Sequence, residues 1–399
     1  MVQTTSNLTN SLRTAYGAVY LEAAARERVY DQFSQPVAQQ GVEDAARLSA
    51  TVQVPFLSSM RPTTSTISQT ADITPQILRD ATASISPTSR GDAIQWAEPL
   101  DVQVYTNYGE SRTRIVGESA MEVIDGLAMD AALQGSAVLR AAARASLDAG
   151  TSTHRLTDSA VAEVDTFFTT LKVPAYIMPN GAKRWAAVMP AEAYHDLRTG
   201  GNVIAAAQYQ DKEIILNMEL GMIGPFKILR SPFAKVFAGQ GAANASAVAT
   251  TLNGAVNALA TSIIVASGTN ISSGKWLHIL ETAETANTHT LLNERVKYVS
   301  GTTTVVIMGQ GENGGLRFDH ASGLSVTNAD SVYPVFYGGP FSLACLFDSV
   351  TGRYGKVVGP KVDGILDQFT TLGYKYYGGY GRWVEPWCAR GEYASSLDA

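Results

Sequence analysis

Five histidines, two cysteines and a few glycine-rich turns are the residues of this 399-residue chain that could carry chemistry. His195 is followed directly by Asp196. A general base and its orienting carboxylate need that kind of pairing, but adjacent side chains on a helix do not face each other, so the pair does not by itself assemble a catalytic unit. A hydrolase reading would require turnover abolished by His195→Ala. The glycine-rich run Gly309, Gly311, Gly314, Gly315 could cradle phosphates, yet no Lys and Ser/Thr pair follows it, so it reads as a turn between strands. The stretch from Gly352 to Lys356 fails the same test. His278, His289 and His320 are not spaced as metal ligands and read as surface or hydrogen-bonded histidines. Cys345 and Cys388 lie in different segments, without a CxxC or Cys/His grouping, and read as buried, reduced thiols. Glu118, Glu122 and Asp125 read as the solvated or intersubunit face of a helix. The aromatic run from Tyr374 to Trp387 could stack bases or sugars, but with few cations nearby it reads as packing. No catalytic, cofactor-binding or metal-ligating residue is expected, and no cofactor.

Composition points the same way. Charged residues make up 17% of the chain, below the usual figure of about 25%, while 45% are hydrophobic. So few charges imply a surface covered by partners. The net charge of −6 argues against a dedicated nucleic-acid binder. Lysine is absent before Lys172, leaving arginine, with its planar bidentate geometry, to make any N-terminal ion pairs. No apolar run has the roughly 18 residues of a membrane helix, and the first twelve residues lack a signal-peptide pattern, so a soluble protein made in a cytoplasm is expected.

The elements that would position these residues begin with a polar arm over residues 1–10 and a helix over 11–33 stopped by Pro36. Residues 47–107 are rich in Ser, Thr and Pro, with strand-like alternation at 50–56, 81–86 and 92–97. So little apolar content cannot fold on itself and predicts a linker or a loop lying on a neighbouring subunit. Residues 111–149 contain no proline and read as one long amphipathic helix, on the order of 58 Å at about 1.5 Å per residue. Its apolar stripe is Val116, Ala120, Val123, Ile124, Leu127, Ala131, Val138 and Ala142, opposite Glu118, Glu122, Asp125, Arg140 and Arg144. Gly117 and Gly135 sit at the edge of that stripe, where another backbone could come close. A helix at 158–172, with Ser159 as cap, a strand at 184–189, a short helix started by Pro190 and a strand ending at Leu229 predict a compact α+β domain. Between about 236 and 328, strands at 262–266, 276–280, 296–299 and 303–308 have the spacing of a small all-β barrel or sandwich. The α+β texture then returns from Tyr333, ending in aromatic strands with glycine bends, which makes the β part an insertion.

The order of arm, extended loop, long helix, α+β domain and C-terminal return resembles the major capsid proteins of tailed bacteriophages, which share the Hong Kong 97-like fold with herpesvirus capsids and encapsulin shells. Four stretches resemble the branch found in N4-like podoviruses: 117–135 (Gly-Glu-Ser-Ala-Met-Glu-Val-Ile-Asp-Gly-Leu-Ala-Met-Asp-Ala-Ala-Leu-Gln-Gly), 187–198 (Ala-Val-Met-Pro-Ala-Glu-Ala-Tyr-His-Asp-Leu-Arg), 219–230 (Glu-Leu-Gly-Met-Ile-Gly-Pro-Phe-Lys-Ile-Leu-Arg) and 372–375 (Leu-Gly-Tyr-Lys). The inserted part is similar to a small β module of phage structural proteins at 262–265, 298–303 and 320–326.

The resemblance implies an α+β Hong Kong 97-like fold in six parts: an N-terminal arm and helix at 1–46, an extended loop with β-hairpin character at 47–107, the spine helix of a peripheral domain at 108–157, an axial domain at 158–235, an inserted β domain at 236–332, and a return through axial and peripheral domains at 333–399. It implies a non-enzymatic subunit that assembles with copies of itself into hexamers and pentamers of an icosahedral head around double-stranded DNA. Its implied partners are a portal, a separate scaffolding protein, a decoration protein and, by weak non-specific contact, the packaged DNA, with no membrane. The virion capsid, assembled in the host cytoplasm, is the implied location. Some relatives weld subunits through a lysine in the extended loop; this loop has no lysine, so that crosslink is not expected. The alternatives are an encapsulin-like bacterial compartment with the same fold and, from another class, a glycan-binding adhesin.

Overall fold

A computed structural model describes residues 19–20, 22, 28–37, 51–57, 60, 62, 75, 77, 80–97, 108–178, 181–200, 222–238, 249–269, 271, 276–282, 292–363 and 369–398. The expected arm at 1–10 and most of the first helix lie outside these residues. In chain order the strands are β1 (Ser34–Pro36), β2 (Val52–Leu57), β3 (Asp80–Ile85), β4 (Thr88–Ala97), β5 (Val138–Arg140), β6 (Tyr176–Ile177), β7 (Lys183–Met189), β8 (Met222–Ile223), β9 (Phe226–Arg230), β10 (Ala249–Thr251), β11 (Ser262–Ile264), β12 (Trp276–Leu280), β13 (Glu294–Gly301), β14 (Thr304–Met308), β15 (Ser325–Thr327), β16 (Tyr333–Gly338), β17 (Leu343–Phe347), β18 (Lys356–Asp363), β19 (Phe369–Arg382) and β20 (Cys388–Tyr393). The α-helices are α1 (Tyr108–Leu133), α2 (Asp158–Thr170) and α3 (Ala191–Thr199). The chain forms two compact units. The first comprises Met1–Arg28, Ser34–Ile124 and Phe341–Val384, and the second Val29–Phe33, Asp125–Pro340 and Glu385–Ala399.

The first unit is built on β19. Antiparallel β4 pairs with it from Phe369 to Gly378, β18 pairs with Phe369 to Lys375, and β17 takes up Gly378 to Arg382. Side chains alternate across a strand, so Leu372 and Tyr374 point to one face, where they pack on Val116 and Ala120 of α1 and on Tyr20. Part of the opposite face is covered by the β2–β3 hairpin, whose Val52, Val54 and Ile85 pack on Ala344 and Leu346, with Tyr377 and Trp383 beside them. The expected glycine bends of the C-terminal aromatic strands are absent. β19 runs unbroken for 14 residues, and its glycines serve close approach instead. A Cβ on Gly373 would stand 2.6 Å from the Asp92 carbonyl oxygen and 2.7 Å from the Ala93 Cβ.

The second unit holds a mixed sheet in the order β5-β20-β16-β7-β9-β8, with β6 against β7. The pairs β7–β9 and β20–β5 are parallel, and β16 is antiparallel to both β7 and β20. Val161, Val164 and Phe168 of α2 bury against Ala187, Phe226 and Tyr337 of this sheet. Phe168 meets Trp185 edge-on at 5.5 Å, and Phe226 meets Tyr337 at 5.4 Å. The cap of α2 is Thr157, whose hydroxyl accepts from the Ala160 N–H, not the expected Ser159. Residues 249–327 form a six-stranded sheet in the order β10-β15-β12-β13-β14-β11, every pairing antiparallel. Asn253 N–H donates to Ile264 O and Ala266 N–H to Thr251 O, so β10 meets β11 and the sheet closes into a barrel without a free edge. Leu252, Ile263, Leu277, Ile279, Val296, Val305, Ile307 and Val326 fill it.

The long helix is shorter than its periodicity predicts. It ends at Leu133 after 26 residues, about 39 Å at 1.5 Å per residue. Gly135, at φ 111°, takes a backbone conformation that L side chains rarely adopt, and the chain turns into β5. Arg140 and Arg144 are therefore not on a helix face. Asp125 is buried, not solvated: its carboxylate accepts from Val29 N–H (3.1 Å) and Asp31 N–H (2.9 Å). The first helix likewise does not reach Phe33, because Asp31–Phe33 is a single 3₁₀ turn leading into β1.

Gly373→Val places branched carbons where the β4 backbone lies. We expect a loss of 3 kcal/mol or more, at or above the usual ~1–3 kcal/mol of overpacking, read as a lowered thermal midpoint.

Candidate functional surfaces

The residues that could have carried chemistry are engaged in structure. Asp196, buried on α3, accepts from the backbone N–H of Ser396 at 3.0 Å and from the Ser396 hydroxyl, while the exposed His195 imidazole lies 3.7 Å from the same carboxylate. The order is wrong for nucleophilic catalysis, since the hydroxyl donates to the carboxylate and not to the imidazole. The Gly309–Gly315 run spends its N–H groups internally: Gly309 donates to Gly314 O and Gly311 to Gly315 O, which leaves no cradle for phosphate. Gly352 N–H closes a turn on Asp348 O. Both cysteines are free and buried. His278 is buried, its Nε2 3.0 Å from the Ser331 hydroxyl, and burial followed by the charges of Arg295 and Lys235 holds its pKa well below the ordinary value. His289 lies outside the described residues. Among the described residues no group of His, Cys, Asp or Glu could hold a metal ion.

Three buried ionic clusters in the second unit went unread in the sequence. Glu392 on β20 is fully buried and meets Arg140 Nε at 2.6 Å, Arg144 Nη2 at 2.8 Å and Arg390 Nε at 2.9 Å. Burial pushes its carboxyl pKa up, but the guanidiniums of Arg140, Arg144 and Arg390 outweigh that and hold it below the usual range. Arg390 also donates to the Leu133 carbonyl, putting a cation on the C-terminal end of α1, where the helix dipole favours one. In the second cluster, Arg295 of the barrel reaches Glu192 of α3 at 2.8 Å, the Tyr333 hydroxyl at 2.8 Å and Asp398 at 3.4 Å, with Trp276 stacked 3.8 Å from its guanidinium. This clamp ties the barrel to the α+β core. In the third, His320 is held between Glu281 (3.3 Å) and Glu294 (3.2 Å). Burial lowers its pKa, yet hydrogen bonds and charge from both glutamates prevail and raise it above 6.5.

Three of the exposed large apolar residues lie at the end of β2 and between β2 and β3. Leu57 is 65% exposed, Met60 64% and Ile77 92%.

The chain is a mixed α+β protein with a long helix laid on a sheet, and comparison with known proteins extends that description. No protein-family model and no curated protein sequence matches the chain. Among solved structures it is similar to the capsid of Ralstonia phage GP4, with a TM-score of 0.56, 10% identity and coverage of 93% of this chain and 92% of that one. It is similar to the cyanophage Pam1 capsid asymmetric unit (TM-score 0.53, 12% identity, 93% of each chain) and to the capsid of cyanophage P-SCSP1u (TM-score 0.50, 9% identity, 91% and 87%). At such identities the likeness is one of fold: the chain has the α+β architecture of phage capsid chains over nearly its whole length.

Two expectations follow from the buried charges. Glu392→Gln leaves three guanidiniums around a neutral side chain and should cost about 3–5 kcal/mol, seen as a lowered denaturant midpoint. The raised pKa of His320 means that its stabilising contribution is complete below about pH 6.5 and is lost as pH rises through the folded-state value. The thermal midpoint of the barrel should therefore fall on that alkaline side, and His320→Gln should flatten the dependence.

Proposed function

We propose that this chain is the major capsid protein of a tailed phage, a non-enzymatic subunit that assembles into hexamers and pentamers of an icosahedral head around double-stranded DNA. The observation that carries this reading is the phage-capsid architecture matched over more than 90% of both chains in the GP4 and Pam1 comparisons. In this reading residues 47–107 contain the loop that reaches a neighbouring subunit. Contrary to the expectation that this segment cannot fold on itself, β2, β3 and β4 within that range pack in the chain's own first unit. Residues 108–157 are the spine region of a peripheral domain, 158–235 the axial domain and 236–332 an inserted barrel. Residues 333–399 return through both domains. The exposure of Leu57, Met60 and Ile77 is in keeping with the loop assignment. The four stretches quoted above favour the N4-like podovirus branch. A portal, a separate scaffolding protein and a decoration protein are the further partners, and assembly takes place in the host cytoplasm.

Shell strength would be a sum of moderate contacts, since permanent interfaces bury on the order of 2,000–5,000 Å² each. The charge of −6 suits a wall to which packaged DNA should not adhere. That phage capsids are the structures matched, together with the phage-type β module, favours a head over an encapsulin-like compartment.

Analytical ultracentrifugation of the chain, alone and with the neighbouring structural genes of its genome, tests the proposal. Capsomers or closed particles are expected, and a monomer or dimer under every condition would overturn it. Leu57→Ser with Ile77→Ser should lower particle yield at least tenfold while the subunit's thermal midpoint stays within about 1 °C, because exposed positions contribute little to subunit stability.

A further inference from the structure

The first unit contains three lysines in its whole sequence, Lys356, Lys361 and Lys375, and all three stand on one face of one sheet. The register places them. Lys356 is directly opposite Lys375, which is opposite Gly91, and two rungs along, past Val358, Gly373 and Ala93, Lys361 is opposite Thr371. All three lysines are exposed, and among the described residues none of their ammonium groups has a hydrogen bond or an ion pair. Lys361 and Lys375 edge an open trough of about 620 Å³ floored by Gly91, Ala93 and Gly373. Asp92, its carboxylate turned back to the Ala93 N–H at 2.8 Å, also lines it, and Lys356 lines the hollow that adjoins it at Lys375. At one end Asp348, whose carboxylate turns back to the Val350 N–H (3.3 Å), is the acid that lines the adjoining hollow.

Like charges directly across a sheet are destabilising, so an isolated subunit gains nothing from the Lys356–Lys375 rung. The glycine floor lets another backbone come close. The same face, further along β19, already carries an extended ribbon: Ile85 and Ser86 of the β2–β3 hairpin region lie over Gly379 and Gly381. The lysine trough continues that covered surface. Three amines over about three rungs are too few to track a duplex, which favours a polypeptide occupant. Each copy carries 36 Asp and Glu against 30 Lys and Arg, and so supplies carboxylates in excess.

We propose that the Lys356–Lys375–Lys361 trough is an assembly contact that receives an extended, acidic segment of a second copy of this chain. The inference rests on the shell reading and deepens it by naming the receiving surface and its chemistry.

The test uses particles assembled from equal amounts of ¹⁴N- and ¹⁵N-labelled chain, free of DNA and other proteins, treated with a zero-length carbodiimide that joins amines to carboxylates. Mass spectrometry is expected to find mixed-isotope crosslinks from these lysines to Asp or Glu of the other copy. The variant Lys356→Glu, Lys361→Glu, Lys375→Glu should yield at least tenfold fewer particles, and Lys356→Gln with Lys375→Gln an intermediate number. Same-isotope crosslinks alone overturn the contact. So do lysines as reactive toward an acylating reagent in particles as in free subunits, or lysines protected only once a short duplex or another structural protein is added. In each of those cases particles still form and the shell reading stands, whereas wild-type chain that forms no particle overturns both.

Discussion

Strand β19 is the constraint on which the first unit depends. It is hydrogen-bonded along Phe369–Lys375 on both edges, by the preceding strand β18 and by β4 from far away in sequence, and then passes its pairing to a third, β17. Such a strand tolerates neither a slip in register nor added bulk. A one-residue slip would turn Leu372 and Tyr374 away from α1 and bring Lys375 under it. The glycines make the geometry accessible. Gly373 and Gly91 sit where a Cβ would press into the neighbouring strand's backbone at 2.6 Å, so the sheet draws together there without side chains between. One long, small-floored strand thus sets helix packing on one face and leaves a shallow open trough on the other.

The second unit solves a different problem, the burial of charge. An Arg on a central strand with no exposure would ordinarily be costly. Arg390 meets that cost by serving two partners, the Glu392 carboxylate and the open carbonyl end of α1. Arg140 and Arg144 then make Glu392 the hub of three cations, with Phe237 stacked on Arg144 at 4.5 Å. Arg295 does comparable work between the barrel and α3. These side chains are structural ties.

Much of this was legible in the chain. The short apolar, β-branched-rich runs at 276–280 and 303–308 mark those strands within a residue, and Pro190 marks the start of α3. The end of α1 was not legible, because Val138 and Ala142 continue the 3.6-residue apolar period past Leu133. A periodicity sum is blind to the positive φ of Gly135. Asp125 was read as solvated for the same kind of reason: nothing local to the helix shows that Val29 and Asp31 bring their N–H groups to it. In 388–393 an Arg and a Glu suggest an exposed face, yet every residue is buried, since the strand lies between β16 and β5 within a covered sheet. The two units are each assembled from three separate segments, an organisation that a linear reading of composition shifts does not express.

Cryo-electron microscopy of particles formed by this chain addresses the central claim most directly. The account predicts a closed icosahedral wall one subunit thick, with density for β19, α1 and the closed barrel recognisable in every copy and the Leu57–Ile77 segment against a neighbouring copy. Particles whose wall lacks this chain, or a chain that stays monomeric with its loop and lysine trough open to solvent, would contradict it.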